Sequence, residues 1–65
     1  MVGRRIKILR GQRQWTQAEL AQRAGVARQT IISAESGRPL RQPALQRIAT
    51  ALGVDVEELM LGMHE

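Results

Sequence analysis

No cysteine occurs in the 65 residues of this chain. Neither a disulfide nor a thiolate-bound metal can brace it, so apolar packing has to hold whatever fold it adopts. So short a chain has material for one hydrophobic core and not two, which predicts a single domain over residues 1–65. Trp15 is the one aromatic residue, leaving the packing to Leu, Ile, Val, Ala and Met and favouring helices. No apolar run reaches the length of about 18 residues that a membrane span needs. Met1 to Arg5 lead into a mixed pattern, unlike a signal peptide. The expectation is a soluble cytoplasmic protein with no membrane partner.

Five helical stretches can be read along the chain. Ile6 and Leu9, with Arg10 and Arg13 continuing the same face, predict a short amphipathic helix over about 4–13. Gly11 lies inside it and costs up to about 1 kcal/mol relative to Ala, so its end near Gln14 depends on packing. Thr16-Gln17-Ala18-Glu19 is a capping box: the Thr16 hydroxyl accepts from the Glu19 amide, and the Glu19 carboxylate reaches back to the Thr16 amide. A second helix over about 17–24 starts there, with Trp15 placed to staple onto Leu20, and with Leu20, Ala21 and Ala24 inward. Gly25, able to take positive φ, ends it.

The pattern restarts after Val26. Over about 28–36, Ile31, Ala34 and Glu35 share one face of a third helix, and Arg28, Gln29, Ile32 and Ser33 fall on the others. Ser36-Gly37 closes it with a glycine C-cap, and Arg38 to Gln42, carrying Pro39, form a loop. Pro43 suits the first turn of a fourth helix over about 43–52, where its missing N–H costs nothing. Leu45, Ile48, Ala49 and Leu52 give that helix the clearest apolar periodicity in the chain, and Gly53 caps it. Asp55 can N-cap a last short helix over about 56–61, with Leu59 inward and Glu57 and Glu58 in the first turn, where the helix dipole favours anions. The fold class is therefore all-α, five helices with no strand.

Charge is distributed unevenly. All ten basic residues lie at or before Arg47, together with only two of the six acids, Glu19 and Glu35; Asp55, Glu57, Glu58 and Glu65 follow with no basic residue among them. One end of the molecule is suited to a polyanion. A basic excess alone leaves nucleic acid, an acidic protein and an anionic membrane open. The turn Ala24-Gly25-Val26-Ala27 between two short helices narrows the choice, because that geometry places its second helix in the DNA major groove.

Trp15-Thr16-Gln17-Ala18-Glu19-Leu20-Ala21, Ala24-Gly25-Val26, Arg28-Gln29-Thr30-Ile31, Glu35-Ser36-Gly37 and Ile48-Ala49-Thr50-Ala51-Leu52-Gly53-Val54 occur in an order and spacing that resemble the phage repressor and Cro (XRE-type) helix-turn-helix family. The likeness runs over about residues 4–60. It implies a compact, lambda-repressor-like domain of five helices that binds operator DNA, usually as a dimer. Carried over position by position, it implies that Gln17 contacts a phosphate, that Arg28, Gln29 and Ser33 meet base edges with Thr30 beside them, and that Arg38 and Arg41 touch phosphates from the following loop. The chemistry agrees: Arg can grip guanine O6 and N7, Gln can pair with adenine N6 and N7, and Ser serves either. Phosphate contacts fix register without reading sequence. Arg10 and Glu35 match family positions that form an internal ion pair, a structural role. Outside that context these residues could equally be solvated groups on an exposed face.

The chain also departs from the family pattern. Ala27 stands where Ser or Thr commonly caps the third helix, which forgoes a cap of about 1 kcal/mol. Ala34 replaces a larger apolar residue, so the core beside it has to close differently. Ile32 is apolar on the outward face, where it can meet a thymine methyl or simply be an exposed Ile.

A single module of this kind buries only about 600–1,000 Å² on DNA, so a homodimer spanning two half-sites is expected. Val54, Val56, Met60, Leu61 and Met63 offer the apolar groups for its surface; alternatively they close the core. Nothing points to an enzyme or to a cofactor. There is no metal-ligand cluster or glycine-rich phosphate loop, His64 stands alone near the end, and Glu57 and Glu58 point different ways from one helix. Single-stranded RNA is disfavoured because the aromatic platform common in such readers is missing. The reading is a sequence-specific double-stranded DNA-binding regulator, a repressor by family expectation. The alternative is an antitoxin-type module that binds a protein partner through its apolar C-terminal segment.

Overall fold

A computed structural model describes residues 2–60, and their order is α1 Val2–Gln12, α2 Gln17–Ala24, α3 Arg28–Glu35, α4 Gln42–Leu52 and α5 Val56–Met60. No strand occurs among the described residues. Each helix sends at least one fully buried side chain to a common centre: Ile6, Leu20, Ile31, Ile48 with Leu52, and Leu59. Burying such a side chain stabilises by about 1.5–3 kcal/mol, and this shared core fixes how the helices are set against one another.

The ends of four helices are stopped by one device. In each, the amide two residues past the helical cap bonds five residues back and the amide before it bonds inside that loop, the Schellman arrangement. The paired bonds are Trp15 to Arg10 and Gln14 to Gly11, Val26 to Ala21 and Gly25 to Gln22, Arg38 to Ser33 and Gly37 to Ala34, and Val54 to Ala49 and Gly53 to Thr50. The motif needs a left-handed residue, supplied by Gly25, Gly37 and Gly53; after α1 it is Gln14, with φ 59°. A side chain in that region costs about 1 kcal/mol that glycine does not incur. Gln14→Gly is therefore expected to raise stability by about 0.5 kcal/mol after the entropic penalty of glycine in the unfolded chain is deducted. The denaturation midpoint in urea measures it.

Four boundaries among the described residues differ from the sequence reading: α1 ends at Gln12 and α3 at Glu35, each one residue early, and two helix starts move as well. α1 starts at Val2, two residues before Arg4, because its first turn is held by tertiary contact: Val2 packs on the core and Gly3 is buried. Pattern reading from Ile6 onward has no access to that contact. α4 starts at Gln42, with Arg41 in the extended N-cap conformation and Pro43 in the first turn. The expected capping box at Thr16 is present, with both bonds at 3.1 Å. Trp15 is only half-buried; it packs on the core cluster, and the Arg23 guanidinium lies 4.3 Å from its ring centroid.

Several arginines act inside the molecule. Arg13 donates to the Leu9 carbonyl at 2.8 Å and to the Leu52 carbonyl at 2.5 Å, tying the end of α1 to the end of α4. Arg47 donates to the Gly25 carbonyl at 3.2 Å. The charge offered to a polyanion is thus narrower than the count of ten suggests.

Candidate nucleic-acid interface

α2, the turn through Gly25 and α3 form the helix-turn-helix. Gly25 takes φ 71° and ψ 33°, and Ala27, at φ −70° and ψ 148°, is the N-cap of α3 without a side-chain cap bond. Val26 between them is half-buried and packs on the core, which fixes the angle at which α3 leaves the turn. α3 buries Ile31 and Ala34. At 100° per residue that leaves Arg28, Ile32, Gln29 and Ser33, in that angular order, on the side turned away from the core. Arg28 and Gln29 are exposed; Thr30, Ile32 and Ser33 are half-buried. The Gln29 carboxamide donates to Ser33 Oγ at 3.3 Å, one turn along the helix.

Arg38 and Arg41 are exposed in the α3–α4 connection. Gln17, the first residue of α2, is half-buried, and its Nε2 donates to Glu35 Oε1 at 3.2 Å. That bond joins the start of α2 to the end of α3, residues eighteen apart in the chain. Sequence reasoning missed it, since no local pattern signals it.

Glu35 also meets Arg10. Arg10 Nε donates to Glu35 Oε2 at 2.7 Å and Nη2 donates to Oε1 at 2.9 Å, a two-pronged pair, and Nη1 donates to the Trp15 carbonyl at 2.8 Å. The two side chains are 16% and 5% exposed. Burial by itself would raise the Glu35 pKa. The bonds from Arg10 and Gln17 outweigh it, with the charges of Arg10 and Lys7 adding, and hold the carboxyl below its usual range. The Arg10 guanidinium is correspondingly shifted upward, chiefly by its bond to Glu35.

Of the residues expected at a dimer surface, Val54, Val56 and Met60 are half-buried and pack against the core; Leu61 and Met63 lie outside the described residues. Among the described residues no group of His, Cys, Asp or Glu is placed to hold a metal ion, and no helix is long and apolar enough to cross a membrane.

A family profile described as helix-turn-helix matches residues 6–59. A protein of Methanothermobacter thermautotrophicus, named as an uncharacterized HTH-type transcriptional regulator, is 50% identical over 50 residues, covering 71% of this chain and 70% of the relative. Among solved structures, the SinR protein/SinI protein complex contains a similar chain with a TM-score of 0.85 and 32% identity, over 98% of this chain and 64% of that one. The present chain thus spans under two thirds of that structural relative. With the helix order, the turn geometry and these matches together, the chain belongs to the phage repressor and Cro-like (XRE-type) helix-turn-helix family of DNA-binding transcription regulators.

Proposed function

We propose that this protein regulates transcription by sequence-specific binding to double-stranded DNA, with α3 laid in the major groove and a second copy of the chain on the adjoining half-site. The observation that carries the reading is the face of α3: Arg28 and Gln29 exposed at its first turn, Ser33 one turn on, and the core contacts confined to the opposite side. Arg28 suits guanine, with two donors for O6 and N7, and Gln29 suits adenine. Thr30 flanks them nearer the backbone. Gln17, Arg38 and Arg41 supply phosphate contacts that set register. Repression is the outcome the resemblance to the phage repressor and Cro family favours.

Selection of duplexes from a random pool, followed by sequencing, tests the reading. A palindromic motif with half-sites about 10 base pairs apart is expected. Arg28→Ala should then cost about 1–3 kcal/mol, or roughly 10- to 100-fold in affinity, and relax preference at one base pair per half-site. Sequence-indifferent binding that Arg28→Ala and Gln29→Ala leave untouched would reduce the basic face to a phosphate attractor.

A protein partner is a second reading, because the similar solved chain is named in complex with another protein. An antitoxin-type role of this kind would use the C-terminal segment around Val54, Val56 and Met60. It is compatible with DNA binding.

A further inference from the structure

Gln17 and Glu35 are joined by a bond that the family assignment does not require, and its chemistry has a direction. An ionised carboxylate only accepts hydrogen bonds, whereas a carboxamide has one accepting and one donating end. Facing Glu35 Oε1, the Gln17 side chain must present Nε2 and not its carbonyl oxygen. One N–H is then used on Glu35, at 3.2 Å, and the second N–H is the one left to donate. Glu35 is in turn fixed from behind by both prongs of Arg10, at 2.7 and 2.9 Å. With its side chain 5% exposed, it has little freedom to follow Gln17 if the carboxamide turns.

We propose that Glu35 is a positioning residue for DNA binding: anchored by Arg10, it orients the Gln17 carboxamide so that its free N–H, rather than its carbonyl, faces a phosphate oxygen. A flipped carboxamide would point an acceptor at a phosphate, which has no hydrogen to give. The inference rests on the reading of Gln17 as a phosphate donor and adds what makes it one. Arg10, whose Nε, Nη1 and Nη2 are each engaged by Glu35 or the Trp15 carbonyl, acts on DNA only through Glu35.

The test is a comparison of backgrounds. Replacing the ion pair by two apolar residues, Arg10→Leu with Glu35→Leu, removes the acceptor for Gln17 without leaving a lone buried charge, a change that small proteins often tolerate. Gln17→Ala is then introduced into the parent and into this double variant, and affinity for a selected operator is measured at several salt concentrations. In the parent, Gln17→Ala should weaken binding on the order of 10-fold, equally for operator and scrambled duplexes. The salt slope should be unchanged, because Gln17 is neutral and displaces no counterion of its own. In the double variant the same substitution should cost no more than about twofold, since an unheld carboxamide contributes little before truncation.

An equal cost in both backgrounds overturns the proposal and leaves Glu35 a purely structural residue. No cost in either overturns it as well, by removing Gln17 from the interface. Should the double variant not fold, the parent decides alone. In the free protein, NMR of the side-chain amides should show Gln17 Nε2 protons exchanging with solvent and rotating more slowly than those of the exposed Gln22. Gln17 protons that behave like those of Gln22 overturn the proposal. Failure of the parent to bind any duplex would instead sink the DNA reading, and the same amide spectrum would still report whether Glu35 holds Gln17.

Discussion

Glu35→Gln should destabilise the protein by about 3 kcal/mol at neutral pH and by progressively less in acid. The pair it breaks joins α1 to α3 through two bonds at 2.7 and 2.9 Å, with side chains 16% and 5% exposed. Removing one partner of a buried pair leaves the other charge uncompensated, at about 3–5 kcal/mol; partial exposure of Arg10 puts this pair at the lower end. In a domain of this size each kcal/mol moves the melting temperature by about 4–8 °C, so a fall of more than about 10 °C is expected. The pH dependence follows from the Glu35 carboxyl. Although burial opposes it, the bonds from Arg10 and Gln17 leave its folded-state pKa below the usual 4.5. A carboxyl with a depressed folded pKa gives stability that is fully present above its unfolded value and is lost as pH falls through the folded one. The gap in melting temperature between parent and variant should therefore stay constant from pH 8 to about pH 5 and narrow below about pH 4.5. The upward shift of Arg10 lies beyond this range and adds no slope. A gap that persists unchanged at pH 3, or one of only 1 or 2 °C at pH 7, would show that the pair acts as an exposed one.

The five helices were legible because each announces itself locally. Thr16 and Glu19 reveal a start, Gly25, Gly37 and Gly53 reveal stops, and the spacing of Leu45, Ile48, Ala49 and Leu52 reveals a buried face. Arg28 and Gln29 as exposed residues of α3 follow from the same periodicity once Ile31 and Ala34 are placed inside. Interactions between remote parts of the chain were legible only where a family pattern supplied them, as for Arg10 and Glu35. The bond from Gln17 to Glu35, the reach of Arg13 to the Leu52 carbonyl and the stacking of Arg23 on Trp15 have no local signature. Each depends on where two helices cross, and polar side chains at such crossings look like any solvated residue in the sequence. The same limit applies to Gln14, whose left-handed backbone is set by the bonds closing α1 and not by its own preference.

Two glycines in one helix should respond to alanine with opposite signs. Both lie in α1, and by intrinsic propensity either Gly→Ala change favours a helix by up to about 1 kcal/mol. At Gly11 a methyl group would meet nothing within 4 Å, so Gly11→Ala should stabilise by about 0.5–1 kcal/mol. At Gly3 it would lie 2.0 Å from the Ala34 carbonyl oxygen, 3.0 Å from the Ala34 carbonyl carbon and 3.1 Å from the Glu35 Cα. All three are backbone atoms, which cannot turn aside as a side chain would. The first turn of α1 would have to lift from the end of α3, and Gly3→Ala should cost about 1–3 kcal/mol, as overpacking does. Gly3 is thus the residue that permits α1 to lie close against the backbone at the end of α3. Because the obstructing atoms belong to the segment that carries Glu35, the displacement should loosen the Arg10 pair as well. Gly3→Ala combined with Glu35→Gln is then expected to cost less than the two changes summed, in urea midpoints measured at neutral pH. If Gly3→Ala and Gly11→Ala stabilise alike, the first turn of α1 does not rest on α3 in solution. Strict additivity of Gly3→Ala and Glu35→Gln would mean that the contact and the ion pair hold the two helices independently.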